Sequence, residues 1–316
     1  MSPLISIVTP YYNGKKHIER LLESLENQTS KNFELIIVDD SSEYSEYSFL
    51  IQVLKKYNFK YFVHRNSVNL GPGNARNIGI NKSNGRYITF IDSDDYVEGN
   101  MMEEIEKVLE DDEYDAILFD YYYVIKGKKK VRKALPKSGN IIDSSDALAL
   151  CNGMCWGKVF NKKTIEDNNI VFPNLMRSED LAFVKSIIGK CNNIYYINKA
   201  LYNYFINPFS IMHRKDTLNI NNNMEAYNYI KKNVKKSEAL NMVFLRDYIY
   251  IIVQNMILLK YNNREIKEFI NNETKDEVDC FSNKYILYQP TYLKICFWLI
   301  KNRCINLLKI IFLLKK

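Results

Sequence analysis

"RYITFIDSDD", residues 86–95, decides how the rest of the chain is read. An apolar run, Tyr87-Ile88-Thr89-Phe90-Ile91, ends abruptly in Asp92, Asp94 and Asp95. Continuous rather than alternating hydrophobicity over a short stretch is the pattern of a strand buried on both faces. Three carboxylates within four residues repel one another, so their pKa values rise or a cation offsets them.

The sequence before it repeats the pattern. "LISIVTPYYN" (4–13) reads as a buried strand stopped by Pro10. "KKHIERLLESLENQT" (15–29) carries Ile18, Leu21, Leu22 and Leu25 at helical spacing. "FELIIVDDSS" (33–42) is a second buried strand ending in Asp39-Asp40, and a helix is expected over Tyr47 to Lys56. "KYFVHR" (60–65) is a third strand, and "NLGPGNARNIGINKSNG" (69–85) is a glycine-rich turn followed by a short helix. Strands alternating with helices predict an α/β fold with a mostly parallel sheet and helices on both faces.

In open sheets of this kind, ligands bind beyond the carboxyl ends of the strands. Thr9, Pro10 and Tyr11, then Asp39 and Asp40, then Asp92 and Asp94 all fall there. Any one of these motifs alone is compatible with a helix cap or a turn. Their joint placement on successive strand ends points to a hard divalent ion with oxygen ligands, carrying substrate phosphates. "GPG" lacks the spacing of a dinucleotide fingerprint or a P-loop, which argues against a dehydrogenase or a P-loop ATPase.

Composition agrees with a globular protein: 316 residues, 47% hydrophobic and 26% charged. Six cysteines suggest no disulfide framework. Cys151 and Cys155 have no second pair at zinc-ligand spacing, so they read as thiols of a reducing compartment. His17, His64 and His213 are too scattered for a zinc site. The first strand is too short, and lacks the basic leader, for a signal peptide; a cytoplasmic location is expected. The net charge of +7 is unevenly placed, because Lys284 to Lys316 contains seven Lys/Arg and no Asp/Glu. A second basic cluster, "KGKKKVRK" (126–133), reads as a solvated hairpin or loop. No nucleic-acid-binding motif accompanies it, so no nucleic-acid partner is expected.

Taken together, "SIVTPYYNGKKHIERLLESLENQT", "FELIIVDDSS", "NLGPGNARNIGI" and "GRYITFIDSDD" resemble the family-2 glycosyltransferases of the GT-A fold, of the bacterial surface-polysaccharide type, over about residues 4–215. The resemblance implies a GT-A catalytic domain over 1–215, with a nucleotide-sugar-binding half (1–98) and an acceptor-binding half (99–215). A helical C-terminal region (216–316) follows. It implies that "DSD" is the D-x-D motif, where Mn²⁺ or Mg²⁺ holds the diphosphate of a nucleotide-sugar. Thr9, Pro10 and Tyr11 would line the nucleoside pocket, with Tyr11 against the base. Asp40, together with Asp39, would accept from the base, most often uracil. Gly73 and Arg76 would serve donor binding, with Arg76 bracing the aspartates. Asp92 and Ser93 would contact ribose and phosphate, and Asp94, with Asp92, would ligate the metal.

Further along, "MRSEDLAFVKSII" (176–188) begins a helix at Glu179-Asp180. The residues alone allow Ser178, Glu179 and Asp180 to be its N-cap and first-turn acids. The resemblance makes Asp180 the catalytic base and Glu179 its orienting neighbour. One base without a nucleophile implies direct displacement with inversion. "MCWGKVFNK" (154–162) would place Trp156, and Lys158 near it, in the sugar or acceptor pocket; a core role for Trp156 stands equally open. "YNYFINPFSIMHR" (202–214) would close over the diphosphate, with His213 as metal ligand or phosphate contact. The basic residue usual near Phe205 or Ile206 is missing, which leaves more to His213 and Arg214.

The expectation is an inverting, metal-dependent transfer from a nucleotide-sugar, UDP-linked by preference, to a hydroxyl of a glycan acceptor. A lipid-linked acceptor of capsule, lipopolysaccharide or teichoic acid type fits. The alternatives are a catalytically silent nucleotide-sugar-binding scaffold and a sugar-phosphate nucleotidyltransferase. A processive synthase is disfavoured, since Q-x-x-R-W and membrane spans are missing. The last segment, "YLKICFWLIKNRCINLLKIIFLLKK" (292–316), reads as one amphipathic helix with Lys294, Lys301, Lys309, Lys315 and Lys316 on one face. Residues 290–316 are expected to dock on the anionic inner face of the cell membrane. The alternatives are a core helix or a dimer interface, so self-association stays open.

Overall fold

The computed structural model describes residues 3–137, 139–206 and 218–314. The first half is the expected alternation: β1 (Ile5–Tyr11), α1 (Ile18–Glu26), β2 (Phe33–Asp39), α2 (Tyr44–Leu54), β3 (Lys60–Arg65), α3 (Pro72–Lys82) and β4 (Tyr87–Phe90). The second half is less regular. It runs β5 (Tyr96–Val97), α4 (Met101–Asp111), β6 (Ala116–Ile125), β7 (Lys128–Arg132), β8 (Ile141–Ile142), α5 (Ser144–Leu150), β9 (Lys158–Asn161), α6 (Lys162–Asp167), α7 (Glu179–Ile188) and β10 (Ile194–Phe205). The C-terminal region is helical: α8 (Leu218–Asn233), α9 (Glu238–Val243), a π-helical stretch (Phe244–Tyr250), α10 (Ile251–Leu258) and α11 (Asn263–Thr274). Two 3₁₀ turns then lead to α12 (Thr291–Lys301) and α13 (Ile305–Leu314).

One sheet carries all the strands, in the order β3-β2-β1-β4-β9-β6-β10-β5, with β7 beside β6 and β8 beside β10. β1, β2, β3 and β4 are parallel, β9 runs against both its neighbours, and β6 and β10 are again parallel. Period-2 alternation divides the core between the two faces. Ile5 and Ile7 of β1, with Ile117 and Phe119 of β6, join α1, α2 and α4. Val8, Ile88, Phe90, Ala116 and Leu118 point the other way, into a core shared with α5, α7 and the whole C-terminal region.

Three local expectations change. Pro10 does not stop β1: the strand continues to Tyr11, paired with β2 through Pro10↔Val38 and Tyr11↔Asp39. The missing N–H is tolerated because β4 pairs with β1 only as far as Val8↔Phe90. Ser178 does not cap α7 through its side chain; it sits at φ 64°, in the left-handed region. The C-terminal segment is two helices, broken around Arg303 at φ 57°. Leu293, Phe297, Ile300, Leu308 and Phe312 are buried in the main core, so one side of the tail is structural. No helix among the described residues is long and apolar enough to cross a membrane.

Candidate active site

The carboxyl ends of β1, β2 and β4 do converge, and a fourth element joins them. α3 sends Arg76 across to the start of α7. Arg76 is 4% exposed. Its Nη2 donates to Asp92 Oδ1 at 2.8 Å, and its Nη1 donates to Asp180 Oδ1 at 2.9 Å and Glu179 Oε1 at 3.1 Å. Burial alone would disfavour its charge, but Asp180, Asp92 and Glu179 overrule burial and raise its pKa further above the ordinary arginine range. One guanidinium thus ties the D-S-D turn to the E-D turn, 104 residues apart between Arg76 and Asp180. Only a planar fork of donors can span three carboxylates in this way. The Cys155 amide adds a bond to Asp180 Oδ2 at 3.4 Å. Glu179 is mostly buried, and burial, followed by the Asp180 charge, pushes its carboxyl up.

The three aspartates of "DSDD" have different surroundings. Asp95 is fully buried and accepts from Tyr202 Oη at 2.6 Å and the Phe205 amide at 2.7 Å. It is committed to anchoring β10. Asp94 is partly exposed; burial, then the charge of Asp92, pushes its carboxyl up to about 6. Its backbone carbonyl accepts from Arg20. Asp92 gives one oxygen to Arg76. Ser93 packs its hydroxyl over Gly14.

Among the described residues no group of three His, Cys, Asp or Glu side chains forms a complete metal site. Asp92 and Asp94 supply two carboxylates, and the raised Asp94 is the state a cation would relieve. That fits Mg²⁺ or Mn²⁺, which bind through one or two carboxylates with substrate phosphates and water completing the shell. His213 and Arg214 lie outside the described residues.

Several expected donor-site residues have other surroundings. Tyr11 is 1% exposed, with its hydroxyl against Glu46; burial, then Glu46, raises its pKa. Strand alternation turns the next residue outward, and the exposed aromatic here is Tyr12, at 54%. Asp40 is spent on the glycine-rich turn: it accepts from Asn66 Nδ2 (2.8 Å), the Leu70 amide (2.9 Å) and the Gly71 amide (2.7 Å). Asp39 is the freer of the pair. Its Oδ1 accepts from the Ser42 amide, and Arg65 Nε lies 3.2 Å from Oδ2, which makes no hydrogen bond. Thr9 Oγ1, on the adjacent strand, is buried and likewise unbonded. Buried polar atoms without a hydrogen bond at neighbouring strand ends suit a ligand that donates and accepts. Pro10 stands between Thr9 and Tyr11 in the same strand. Gly73 is needed for close packing: a Cβ there would meet Glu179 Cγ at 3.0 Å and Phe172 Cβ at 3.3 Å.

Trp156 is 3% exposed, stacked between Tyr202 and Tyr204 at centroid distances of 4.9 and 5.0 Å, with Tyr121 edge-on. The core reading of Trp156 therefore describes its surroundings, and it supports the site through Tyr202, whose hydroxyl also accepts from the Asp92 amide. Lys158 is 1% exposed and braces the turn below, donating to Asn152 Oδ1 and the Met154 carbonyl. Burial holds its pKa down at about 8. Sequence reasoning named Asp95 without its supporting role and did not find Tyr202 or Arg20; Tyr202 lies in the tyrosine-rich β10 and Arg20 on α1, and neither carries a motif.

The fold and site together define a GT-A-type sugar-transfer enzyme. The sequence pattern described as Glycosyl transferase family 2 matches residues 6–168, and the chain belongs to that family. Among its relatives, the chain is 30% identical over 224 residues to EpsH of Bacillus subtilis, itself a provisional glycosyltransferase; the match covers 67% of this chain and 64% of EpsH, a little under two thirds. It is 28% identical over 306 residues to the Staphylococcus aureus poly(ribitol-phosphate) beta-N-acetylglucosaminyltransferase TarP, covering 88% of this chain and 86% of that one. In structure it is similar to S. aureus TarS 1-349 in complex with UDP-GlcNAc, with a TM-score of 0.73 at 21% identity, covering 97% of this chain and 89% of that one. It is also similar to the mannosyltransferase PcManGT of Pyrobaculum calidifontis in complex with GDP-Man and Mn²⁺, with a TM-score of 0.59 at 11% identity, covering 98% and 87%.

Proposed function

We propose that the chain transfers a sugar, with inversion, from a UDP-sugar to a hydroxyl of a surface-glycan acceptor, with Mn²⁺ or Mg²⁺ at Asp92 and Asp94. The observation that carries this reading is the Arg76 clamp, which fixes Asp92 and Asp180 to opposite ends of one buried guanidinium. Asp39 Oδ2 and Thr9 Oγ1 would meet the uracil. Asp180 takes the proton of the acceptor hydroxyl as its oxygen bonds the anomeric carbon. The anomeric C–O bond to phosphate breaks in the same displacement, and the nucleoside diphosphate departs. A divalent ion bound there would offset the charge developing on that diphosphate. Glu179 shares Arg76 with Asp180 and keeps it aimed. TarS with UDP-GlcNAc supports a uridine donor, PcManGT with Mn²⁺ supports the metal, and the poly(ribitol-phosphate) acceptor of TarP supports a polymer as acceptor. A silent scaffold would have no need of Asp92, Asp94 and Asp180 in this arrangement.

The tail is part of the same reading. Tyr292, Ile295 and Trp298 of α12, and Leu307, Ile310 and Leu313 of α13, are exposed at three-residue spacing. Lys294, Lys301, Arg303 and Lys309 stand among them without an acidic residue in the segment. That composition suits the anionic inner face of the cell membrane, where a lipid-linked acceptor would be met.

The test is a panel of nucleotide-sugars read by thermal shift and slow hydrolysis, with and without Mn²⁺. A UDP-sugar is expected to stabilise the protein only with the metal, and Asp94→Ala to lose that dependence while folding normally. Equal stabilisation of wild type and variant in a chelator would overturn the metal assignment. No response to any nucleotide-sugar would overturn the reading.

A further inference from the structure

We infer that the hairpin of β6 and β7 is a docking track for a phosphate-bearing acceptor chain; this rests on the glycosyltransferase reading. The hairpin turns at Lys126 and Gly127, both at positive φ, as a primed two-residue turn requires. β7 is exposed along its whole length. Its register is Tyr121↔Arg132, Tyr122↔Val131, Tyr123↔Lys130, Val124↔Lys129 and Ile125↔Lys128.

Strand alternation sorts the cations between two faces. Lys129 falls on the face of Tyr122, where Glu98 neutralises it. Lys128, Lys130 and Arg132 fall on the face of Tyr121 and Tyr123, and no carboxylate among the described residues pairs with any of them. The row has a spacing of about 6.8 Å, two residues of an extended strand. Arg132 lies over the Tyr123 ring at 5.0 Å. That ring touches Tyr204, which stacks on Trp156, which stacks on Tyr202, whose hydroxyl reaches Asp92 and Asp95. The free cations therefore share the aromatic face that supports the D-S-D turn, while the neutralised cation is on the other face.

Lysines on an edge strand also deter sheet-to-sheet aggregation. That role needs charge on the edge but does not need it unpaired on one face. A chain with a charge in every repeat would lie along the row and present a sugar or polyol hydroxyl toward Asp180. A neutral glycan would gain nothing from it.

End-labelled inorganic polyphosphate is the probe, with binding read by fluorescence anisotropy at two salt concentrations. Lys128→Gln/Lys130→Gln/Arg132→Gln is expected to weaken binding at least about tenfold and to flatten its salt dependence. Lys232→Gln/Lys235→Gln/Lys267→Gln removes the same charge from exposed positions of the C-terminal region and is expected to change binding less than about twofold. Equal loss in both triples would reduce the effect to net charge and overturn the proposal. So would a hairpin triple that keeps polyphosphate but loses phosphatidylglycerol vesicles, which would make the hairpin a membrane contact. If the triple aggregates, Lys130→Gln and Lys130→Arg replace it: the first must weaken binding and the second must not. A UDP melting shift on the wild type, run in parallel, tests the enzyme reading separately. Its absence with hairpin binding intact would sink that reading and leave the anion site.

Discussion

Arg76 concentrates the most physical chemistry in one side chain. Replacing it by methionine would leave Asp92, Glu179 and Asp180 facing one another without a cation. Breaking a buried ion pair from one side costs roughly 3–5 kcal/mol. Arg76→Met is therefore expected to lose about that much stability at pH 7.5, measured by urea unfolding, and less at pH 5, where carboxyls deprived of the guanidinium take up protons more readily and the repulsion is relieved. A loss independent of pH would mean that packing on Phe172, not charge, is what Arg76 supplies. Asp180→Asn separates chemistry from architecture. It is expected to leave donor affinity nearly unchanged and to cut the transfer rate roughly 10²-fold or more, the scale of losing a general base; equal losses in both would make Asp180 a donor contact. These residues were legible because short motifs carry them: aspartates after an apolar run, an arginine in a glycine-rich turn, an acidic pair opening a helix. Which aspartate of each pair is free was not legible. That Asp40 is spent on Leu70 and Gly71, and Asp95 on Tyr202, depends on loops and a strand that meet only in three dimensions.

Elements hold these residues through close approach. α3 lies on β1 so tightly that a Cβ on Gly79 would meet Val8 Cγ1 at 2.2 Å. Overpacking of this kind costs about 1–3 kcal/mol. Gly79→Ala is expected to fall in that range by thermal unfolding and to weaken donor binding too, because α3 carries Arg76. Unchanged donor binding in a destabilised variant would uncouple the helix position from the site. β9 is a second case. The buried Lys158 ammonium is held at about pH 8, below the ordinary lysine value of about 10.4. Its folded state therefore sheds the proton first. Between pH 8 and about 10.4 the unfolded chain holds more protons, so stability from this group rises with pH. Relative to Lys158→Met, the wild type is expected to gain about 3 kcal/mol across that window. A flat difference would mean that Lys158 titrates normally. β1, β2 and β4 were readable from apolar runs because they are buried on both faces, and β3, a largely exposed edge strand, from its place in the strand–helix alternation. β9 and β10 were not, because a four-residue strand and a polar, tyrosine-rich one carry no such run.

At the scale of the whole molecule, the C-terminal region does two things that the sequence showed as one. A single helix with lysines on one side would be a detachable anchor. The turn around Arg303 instead folds α12 and α13 so that Phe297, Ile300, Leu308 and Phe312 complete the core beside α10 and α11, while Trp298, Leu307 and Ile310 face outward. Periodicity alone could not show this, because both sides of each helix are apolar and only tertiary packing tells them apart. Removing the chain from Pro290 onward should therefore open the core, and the truncated protein is expected to unfold or aggregate. The membrane reading is tested by the outward face alone. Trp298→Ser/Leu307→Ser/Ile310→Ser removes exposed apolar surface and no core contact. It is expected to keep the wild-type melting temperature and to lose sedimentation with phosphatidylglycerol vesicles. Binding of the wild type should also weaken as salt rises, since the lysine contribution is screened within about 8–10 Å at physiological ionic strength. A lowered melting temperature, or a change from dimer to monomer in the triple variant, would instead make this face an interface between copies of the chain. Wild-type protein that ignores anionic vesicles at low salt would remove the membrane from the account.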